Sequence, residues 1–149
     1  MIDPENLIIT MVTDALETAY GSTYPGLVVY GTAVERPESL PCVTVVMSGN
    51  VTWAASRTFN DPEHHSQVSI EINAYSDATP GGKEIVKHLI QTADTVMQSK
   101  NFTRVMAMPL PNIDRTITRY GARYSALVEE PIIATENGVE TQTFLVYKG

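Results

Sequence analysis

The sequence predicts an α+β domain in which two amphipathic helices pack on one face of an antiparallel or mixed β-sheet. Apolar stripes at helical spacing predict the helices, in residues 4–20 and 80–99. Alternation of apolar and polar residues predicts half-buried strands, most clearly in residues 67–75 and 116–128. Because the elements follow in the order helix, strands, helix, strands, the simplest packing places both helices on the same face of the sheet.

The first helix is predicted from Pro4 to Tyr20, with Asp3 as its N-cap and Gly21 at its end. Its residues repeat at spacings of three and four to form one apolar stripe, which we expect to face the sheet. The stripe comprises Leu7, Ile8, Met11, Val12, Ala15, Leu16 and Ala19.

The second helix is predicted from Pro80 to Ser99, with Thr79 as its N-cap. Glu84 lies in its first turns, where the helix dipole favours negative charge. Its apolar stripe comprises Ile85, Val86, Leu89, Ile90, Ala93, Val96 and Met97.

Runs of β-branched and aromatic residues between turn residues predict six strands. They are Leu27–Tyr30, Val43–Met47, Gln67–Tyr75, Phe102–Met108, Thr116–Val128 and Thr143–Tyr147. In the third strand, the residues expected to face the helices are Val68, Ile70, Ile72 and Ala74, and those expected to face outward are Gln67, Ser69, Glu71 and Asn73. In the fifth, the inward set is Thr118, Tyr120, Ala122, Tyr124, Ala126 and Val128, and the outward set is Arg119, Gly121, Arg123 and Ser125.

Two polar segments interrupt this pattern. Ser48–Ser66 is predicted as a long polar loop or an extended hairpin, and Glu129–Thr141 is a second polar excursion. Long loops in compact domains are often functional. The first segment contains Trp53, Arg57 and Phe59. Its two aromatic side chains require burial, either against the domain's own core or against a partner subunit. We therefore take all three residues as candidate interaction residues.

Length and composition set broad limits on the function. The 149 residues are expected to form one domain, residues 1–149. The net charge of −7 argues against a general binder of nucleic-acid phosphates. One cysteine, Cys42, allows no intrachain disulfide. The first residues lack the basic region of a signal peptide, and no apolar run approaches the roughly 18–20 residues of a membrane span. We expect neither secretion nor membrane insertion.

The sequence contains no residue pattern that specifies a reaction, so no catalytic, cofactor-binding or metal-binding residue is predicted. The segment TPGGKE at 79–84 follows a strand and opens a helix, as phosphate-binding loops do. It lacks the first glycine of such a loop and the hydroxyl residue after the lysine, where Asp77 and Glu84 stand. The adjacent His64 and His65 would point to opposite faces of an extended segment, which disfavours a shared metal.

Arg119 and Arg123 form the centre of the only basic cluster, with Arg104 and Arg115 nearby in the sequence. They are candidate interaction residues with three possible roles: binding nucleic acid, pairing with acidic groups of a neighbouring strand or subunit, or solvation without a partner. No aromatic residue interleaves with them on the outward face, which disfavours nucleic acid.

Residues 5–130 carry a family resemblance. Its motifs are FTR at 102–104, PNID at 111–114 and RYGARYSA at 119–126, after the helix that opens with GKEIVKHLI at 82–90. The segments IEINAYS at 70–76 and SLPCVTV at 39–45 fit the same pattern. In these features the chain resembles the tail-terminator and minor-capsid, or tail-completion, proteins of long-tailed bacteriophages.

The resemblance implies a structural protein without catalytic residues or cofactors. It implies a hexameric ring of identical subunits that caps the tail tube, stops its polymerisation and offers a surface to the head. The implied partners are other copies of the chain, the major tail tube protein and the head-completion or connector protein. The implied location is the tail or neck of the virion, after synthesis in the bacterial cytoplasm. Two alternatives remain open: a related head–tail connector or tail-completion protein, and a small α+β enzyme or nucleic-acid-binding domain.

Overall fold

A computed structural model of the protein describes residues 3–33, 37, 39–52, 65–112, 114–129, 132–143 and 146–147. Its helices and strands, in chain order, are α1 (Glu5–Tyr20), β1 (Val28–Tyr30), β2 (Cys42–Thr52), β3 (His65–Asp77), α2 (Gly82–Ser99), β4 (Thr103–Leu110), β5 (Ile117–Glu129), β6 (Ile132–Glu136), β7 (Val139–Thr143) and β8 (Val146–Tyr147).

The main sheet is mixed, with strand order β1-β2-β3-β5-β4. The β1–β2 pair is parallel and the other pairs are antiparallel. The short strand β8 continues the line of β4 by pairing with the end of β5, at Leu127 and Val128. The predicted α+β fold class is therefore confirmed.

Both helices cover the same face of this sheet. Core side chains come from α1 (Ile8, Val12, Leu16), from α2 (Val86, Leu89, Ile90, Ala93, Met97), and from β2, β3 and β5 (Val43, Val45, Val68, Ile70, Ile72, Ala74, Ala122, Tyr124). Contacts place α1 over β2 and α2 over β3, β5 and β4. The inward set predicted for the third strand is buried completely.

The predicted helix ends need correction. Pro4, not Asp3, occupies the N-cap of α1, although the Asp3 carboxylate still accepts the Glu5 N–H at 3.1 Å. Ala19, predicted in the apolar stripe, is exposed. Gly21 does end α1, but with a right-handed φ of −56°, so a left-handed cap is not what requires glycine there.

The start of α2 also differs from the prediction. Gly81 occupies the N-cap in a left-handed conformation with φ of 96°, and Thr79 makes no side-chain cap. A Cβ atom at Gly82 would lie 1.8 Å from the carbonyl oxygen of Asp77. The two glycines of TPGGKE therefore serve a tight strand-to-helix turn, which accounts for them without a bound phosphate.

The segment after Met47 is an extended hairpin in its described part. Strands β2 and β3 stay paired as far as Thr52 and Ser66, beyond a register shift between Met47 and Gly49. Trp53, Arg57 and Phe59 lie outside the described residues, so their predicted roles stay predictions.

The second polar excursion contains a hairpin that the sequence reading missed. Strands β6 and β7 pair across a two-residue turn, in which Asn137 and Gly138 both have positive φ, 52° and 77°. Asn-Gly is the sequence that such turns favour. The predicted strand Thr143–Tyr147 is wrong in its bounds because Thr143 ends β7 and a separate strand, β8, begins at Val146.

Candidate functional site

The face of the main sheet that the helices do not cover is called the outer face here. Its centre carries a charged cluster in which Glu71 of β3 lies opposite Arg123 of β5 in the antiparallel register. The Glu71 carboxylate lies 3.3 Å from the guanidinium of Arg123 and 3.6 Å from that of Arg119. Of the three interpretations of the two arginines, the structure shows pairing with a neighbouring strand.

Asn73 links the members of this cluster. Its amide nitrogen donates to Glu71 Oε1 at 3.1 Å, and its amide oxygen accepts a hydrogen bond from Arg119 Nε at 2.9 Å. Asn73 was expected to face solvent, and it does lie on the outer face, but only 5% of it is exposed. Its burial is possible because both ends of the amide find partners within the cluster.

The cluster perturbs the titration of its acid. The hydrogen bond from Asn73, followed by the hydrogen bond and charge of Arg123 and the charge of Arg119, lowers the pKa of the Glu71 carboxyl, while burial opposes this shift. The Arg119 guanidinium also lies over the ring of Tyr75, 5.9 Å from its centroid. The arginines are therefore held in place, and Arg123 remains the more accessible, with 48% of its side chain exposed.

The predicted basic cluster is divided between the two faces of the sheet. Arg104 of β4 lies on the helix-covered side, where its guanidinium contacts Asp94 of α2 at 3.0 Å. Arg115 lies exposed in the turn before β5. A β-bulge between Arg104 and Met106 shifts the register of β4 against β5. Sequence spacing could not reveal this division because register and bulges decide which face a strand residue occupies.

Asp94 is the hub of a second polar group, between α2 and the sheet. It accepts hydrogen bonds from the Tyr124 hydroxyl at 2.7 Å and from the Gln98 amide at 2.7 Å, in addition to Arg104. Burial, followed by the hydrogen bond to Asp94, raises the pKa of the Tyr124 phenol. Tyr124 is fully buried, so Asp94 provides the partner that its hydroxyl requires.

A cleft of about 350 Å³ opens beside this group, between α2 and the β4–β5 edge of the sheet. We call it the α2–β4 cleft. Its lining residues are Lys87, Ile90, Gln91, Asp94, Arg104, Ala107 and Tyr120. The lining includes no Ser, Thr, Cys or His side chain, and its one carboxylate is already bound to three donors. The cleft thus combines an apolar lining with one lysine amine and a carboxylate that is already hydrogen-bonded.

Lys87 supplies this cleft with a positive charge that no carboxylate of the described residues neutralises. It is exposed on α2, and no carboxylate pairs with it among the described residues. The sequence reading did not single out Lys87 or Asp94. Their helical spacing places both on one side of α2, but only the position of β4 makes that side a cleft.

Exposed apolar side chains mark the two lateral ends of the sheet. Val105 and Met108 of β4 are 60% and 46% exposed at one end, and Val51 of β2 is 66% exposed at the other. Among the described strands, β4 is an edge strand, and β1 covers β2 only from Cys42 to Thr44. Both edges carry bulges, which hinder direct strand pairing with another chain. Contacts at these edges would therefore be made chiefly by side chains.

Other candidate chemistry finds little support in the described part of the chain. Burial raises the pKa of the Cys42 thiol to about 12, so it is a poor nucleophile at neutral pH. His65 lies 3.4 Å from Glu129 in the neighbouring strand. Within the described ranges, no group of three His, Cys, Asp or Glu side chains is placed to hold a metal. Neither α1 nor α2 is long and apolar enough to cross a membrane.

Comparison with known proteins adds no family. No protein-family model matches the chain, and a search of curated proteins finds no significant match. The resemblance to phage tail proteins thus rests on the residue patterns given above and on nothing further.

Proposed function

We propose that this chain is a tail-terminator protein of a long-tailed bacteriophage. In this role it assembles into a ring, six-membered in the family that it resembles, which caps the tail tube, stops tube polymerisation and presents a surface to the head. The implied partners are further copies of the chain, the major tail tube protein and the head-completion protein. The work is geometric and requires no catalytic residue.

The structural observation that supports ring formation is that different apolar side chains are exposed at opposite ends of the sheet. Val51 lies at one end, and Val105 and Met108 lie at the other. A closed ring requires a heterologous contact, in which one surface of a subunit meets a different surface of the next. Exposed apolar side chains that rim a protein's edges favour protein–protein contact. Different apolar side chains at opposite ends suit a head-to-tail arrangement better than a two-fold dimer.

The charges of the described residues disfavour the nucleic-acid alternative. Glu71 neutralises part of the charge of Arg119 and Arg123, and Arg104 is engaged by Asp94 on the other side of the sheet. A phosphate-binding surface needs unneutralised cations in a continuous row or groove.

Growth of tail tubes in the presence of the purified chain tests this function. The tube protein encoded in the same genome would be polymerised alone and with the chain, and tube lengths would be measured by electron microscopy. We expect the chain to shorten the tubes and to leave a ring at one end. Unchanged tube lengths, combined with binding to purified heads, would favour the connector alternative.

A charged substitution in the Ser48–Ser66 segment tests the predicted interaction residues. We expect Trp53→Glu to abolish ring assembly and to leave the circular dichroism spectrum unchanged, because a charge would replace an aromatic anchor of the contact. Thr95→Glu, at an exposed position of α2, is the matched control that adds the same charge. Normal assembly of Trp53→Glu would show that this segment does not carry the subunit contact.

A further inference from the structure

We infer that the α2–β4 cleft binds the acidic surface of helix α1 of the next copy of this chain. The inference rests on the proposed ring and names the residues of its subunit contact. The cleft lies on the side of the subunit formed by α2 and β4, whereas α1 lies over β2, toward the other end of the same sheet. The two surfaces are therefore unlike, as a head-to-tail contact requires.

Charge complementarity identifies the occupant. Residues 3–20 contain four acidic residues, Asp3, Glu5, Asp14 and Glu17, and no lysine or arginine. Asp14 and Glu17 are exposed, lie one helical turn apart, and pair with no cation among the described residues. The cleft offers the opposite sign, because Arg104 is neutralised by Asp94 and Lys87 is not.

Exposed apolar side chains lie on the same two sides of the subunit. Val105 and Met108 lie on β4, the strand that borders the cleft, and Val51 lies on β2, the strand beneath α1. In the strand register Met108 pairs with Gly121 and Val51 with Gln67, so both side chains lie on the outer face and would flank the contact between the cleft and α1. An interface with apolar area and complementary charge at its rim is the usual composition of a specific protein contact.

The lining of the cleft suits a carboxylate side chain. Ile90, Ala107 and Tyr120 contribute apolar surface, and Lys87 supplies the free cation. Asp94 does not repel the incoming acid strongly because Arg104, Gln98 and Tyr124 already bind its oxygens. The contact is expected to weaken as salt is added, since it lies at an exposed edge.

Charge reversal tests the inference through the mass of the assembly in solution. We expect Lys87→Glu alone to weaken self-assembly by at least about tenfold, because like charges would meet at the contact. The variant with both Asp14→Lys and Glu17→Lys should fail in the same way. An equimolar mixture of the two should restore assembly, since each cleft would then meet an α1 surface of opposite charge. Lys100→Glu, exposed beyond the end of α2, is the matched control.

The outcomes separate this inference from the proposed function. If the unaltered chain forms rings and Lys87→Glu forms them equally well, the ring stands and the cleft contact is overturned. The same holds if the mixture fails to assemble although both variants are folded by circular dichroism. If Lys87→Glu assembles normally but no longer binds tail tubes, the cleft serves another protein, and a second copy is the wrong occupant. An unaltered chain that stays monomeric contradicts ring formation in solution and the inferred contact with it.

Discussion

Replacing Gly121 with alanine tests the packing at the centre of the outer face. A Cβ atom at this position would lie 2.4 Å from Leu110 Cδ1 and 2.8 Å from Asn73 Oδ1, both well inside van der Waals contact. Overpacking of this kind costs about 1–3 kcal/mol, whereas replacing a glycine within a strand stabilises it by about 0.5–1 kcal/mol. We expect the free energy of unfolding of Gly121→Ala to fall by about 1 kcal/mol, the difference between the midpoints of these two ranges.

Gly49→Ala is the matched control for this substitution. Gly49 also lies in a strand of the main sheet, but a Cβ atom there would lie 3.6 Å from Ser69 Cβ and Oγ, an ordinary contact. We expect Gly49→Ala to be neutral or to stabilise the protein by up to about 1 kcal/mol. Gly121→Ala should therefore be less stable than Gly49→Ala.

Thermal and urea unfolding followed by circular dichroism would measure both variants. For a domain of this size, 1 kcal/mol corresponds to a change in Tm of roughly 2–4 °C, so Gly121→Ala should melt lower than the unaltered chain by that amount. The added methyl group should also displace the Asn73 side chain and weaken its hydrogen bonds with Glu71 and Arg119. A Gly121→Ala variant that melts at or above the unaltered chain would refute the packing of Leu110 and Asn73 over this glycine.

Three further predictions concern the core and the titrating groups. Leu89→Asp should prevent cooperative folding, because it buries a charge at the centre of α2, whereas Lys83→Asp on the exposed side should unfold normally in urea. Folding lowers the pKa of Glu71, so the ionised carboxylate stabilises the fold above the unfolded pKa, and this stabilisation is lost as pH falls through the folded pKa. Glu71→Gln should therefore flatten the acid side of a plot of unfolding free energy against pH. The Cys42 thiol should react with a thiol reagent only on unfolding, and rapid stoichiometric reaction of the native chain would contradict its burial.

The fold was largely predictable because periodicity reports directly which faces are covered. The alternation of β3 and the stripe of α2 identified nine buried apolar side chains, from Val68 to Met97. The start of α2 was less predictable. Thr79 and Pro80 are residue types that helix starts favour, but the turn requires glycine at 81 and 82, and the helix begins at Gly82. Residues 132–143 were misread because their polar composition outweighed the Asn-Gly turn at their centre.

The candidate site was only partly predictable. The outward positions of Arg119 and Arg123 followed from alternation, but Glu71 as their partner depends on strand register, which alternation does not determine. The α2–β4 cleft depends on where a helix and an edge strand meet, and no local pattern reports that contact. Trp53, Arg57 and Phe59 were chosen from composition, and their roles stay predictions.

Light scattering across a range of protein and salt concentrations, with negative-stain images of the same samples, tests ring formation most directly. The proposed function predicts a particle of about six subunit masses, ring-shaped in projection, that dissociates as salt is raised. A strict monomer at every concentration and at low salt would contradict self-assembly as an intrinsic property of this chain.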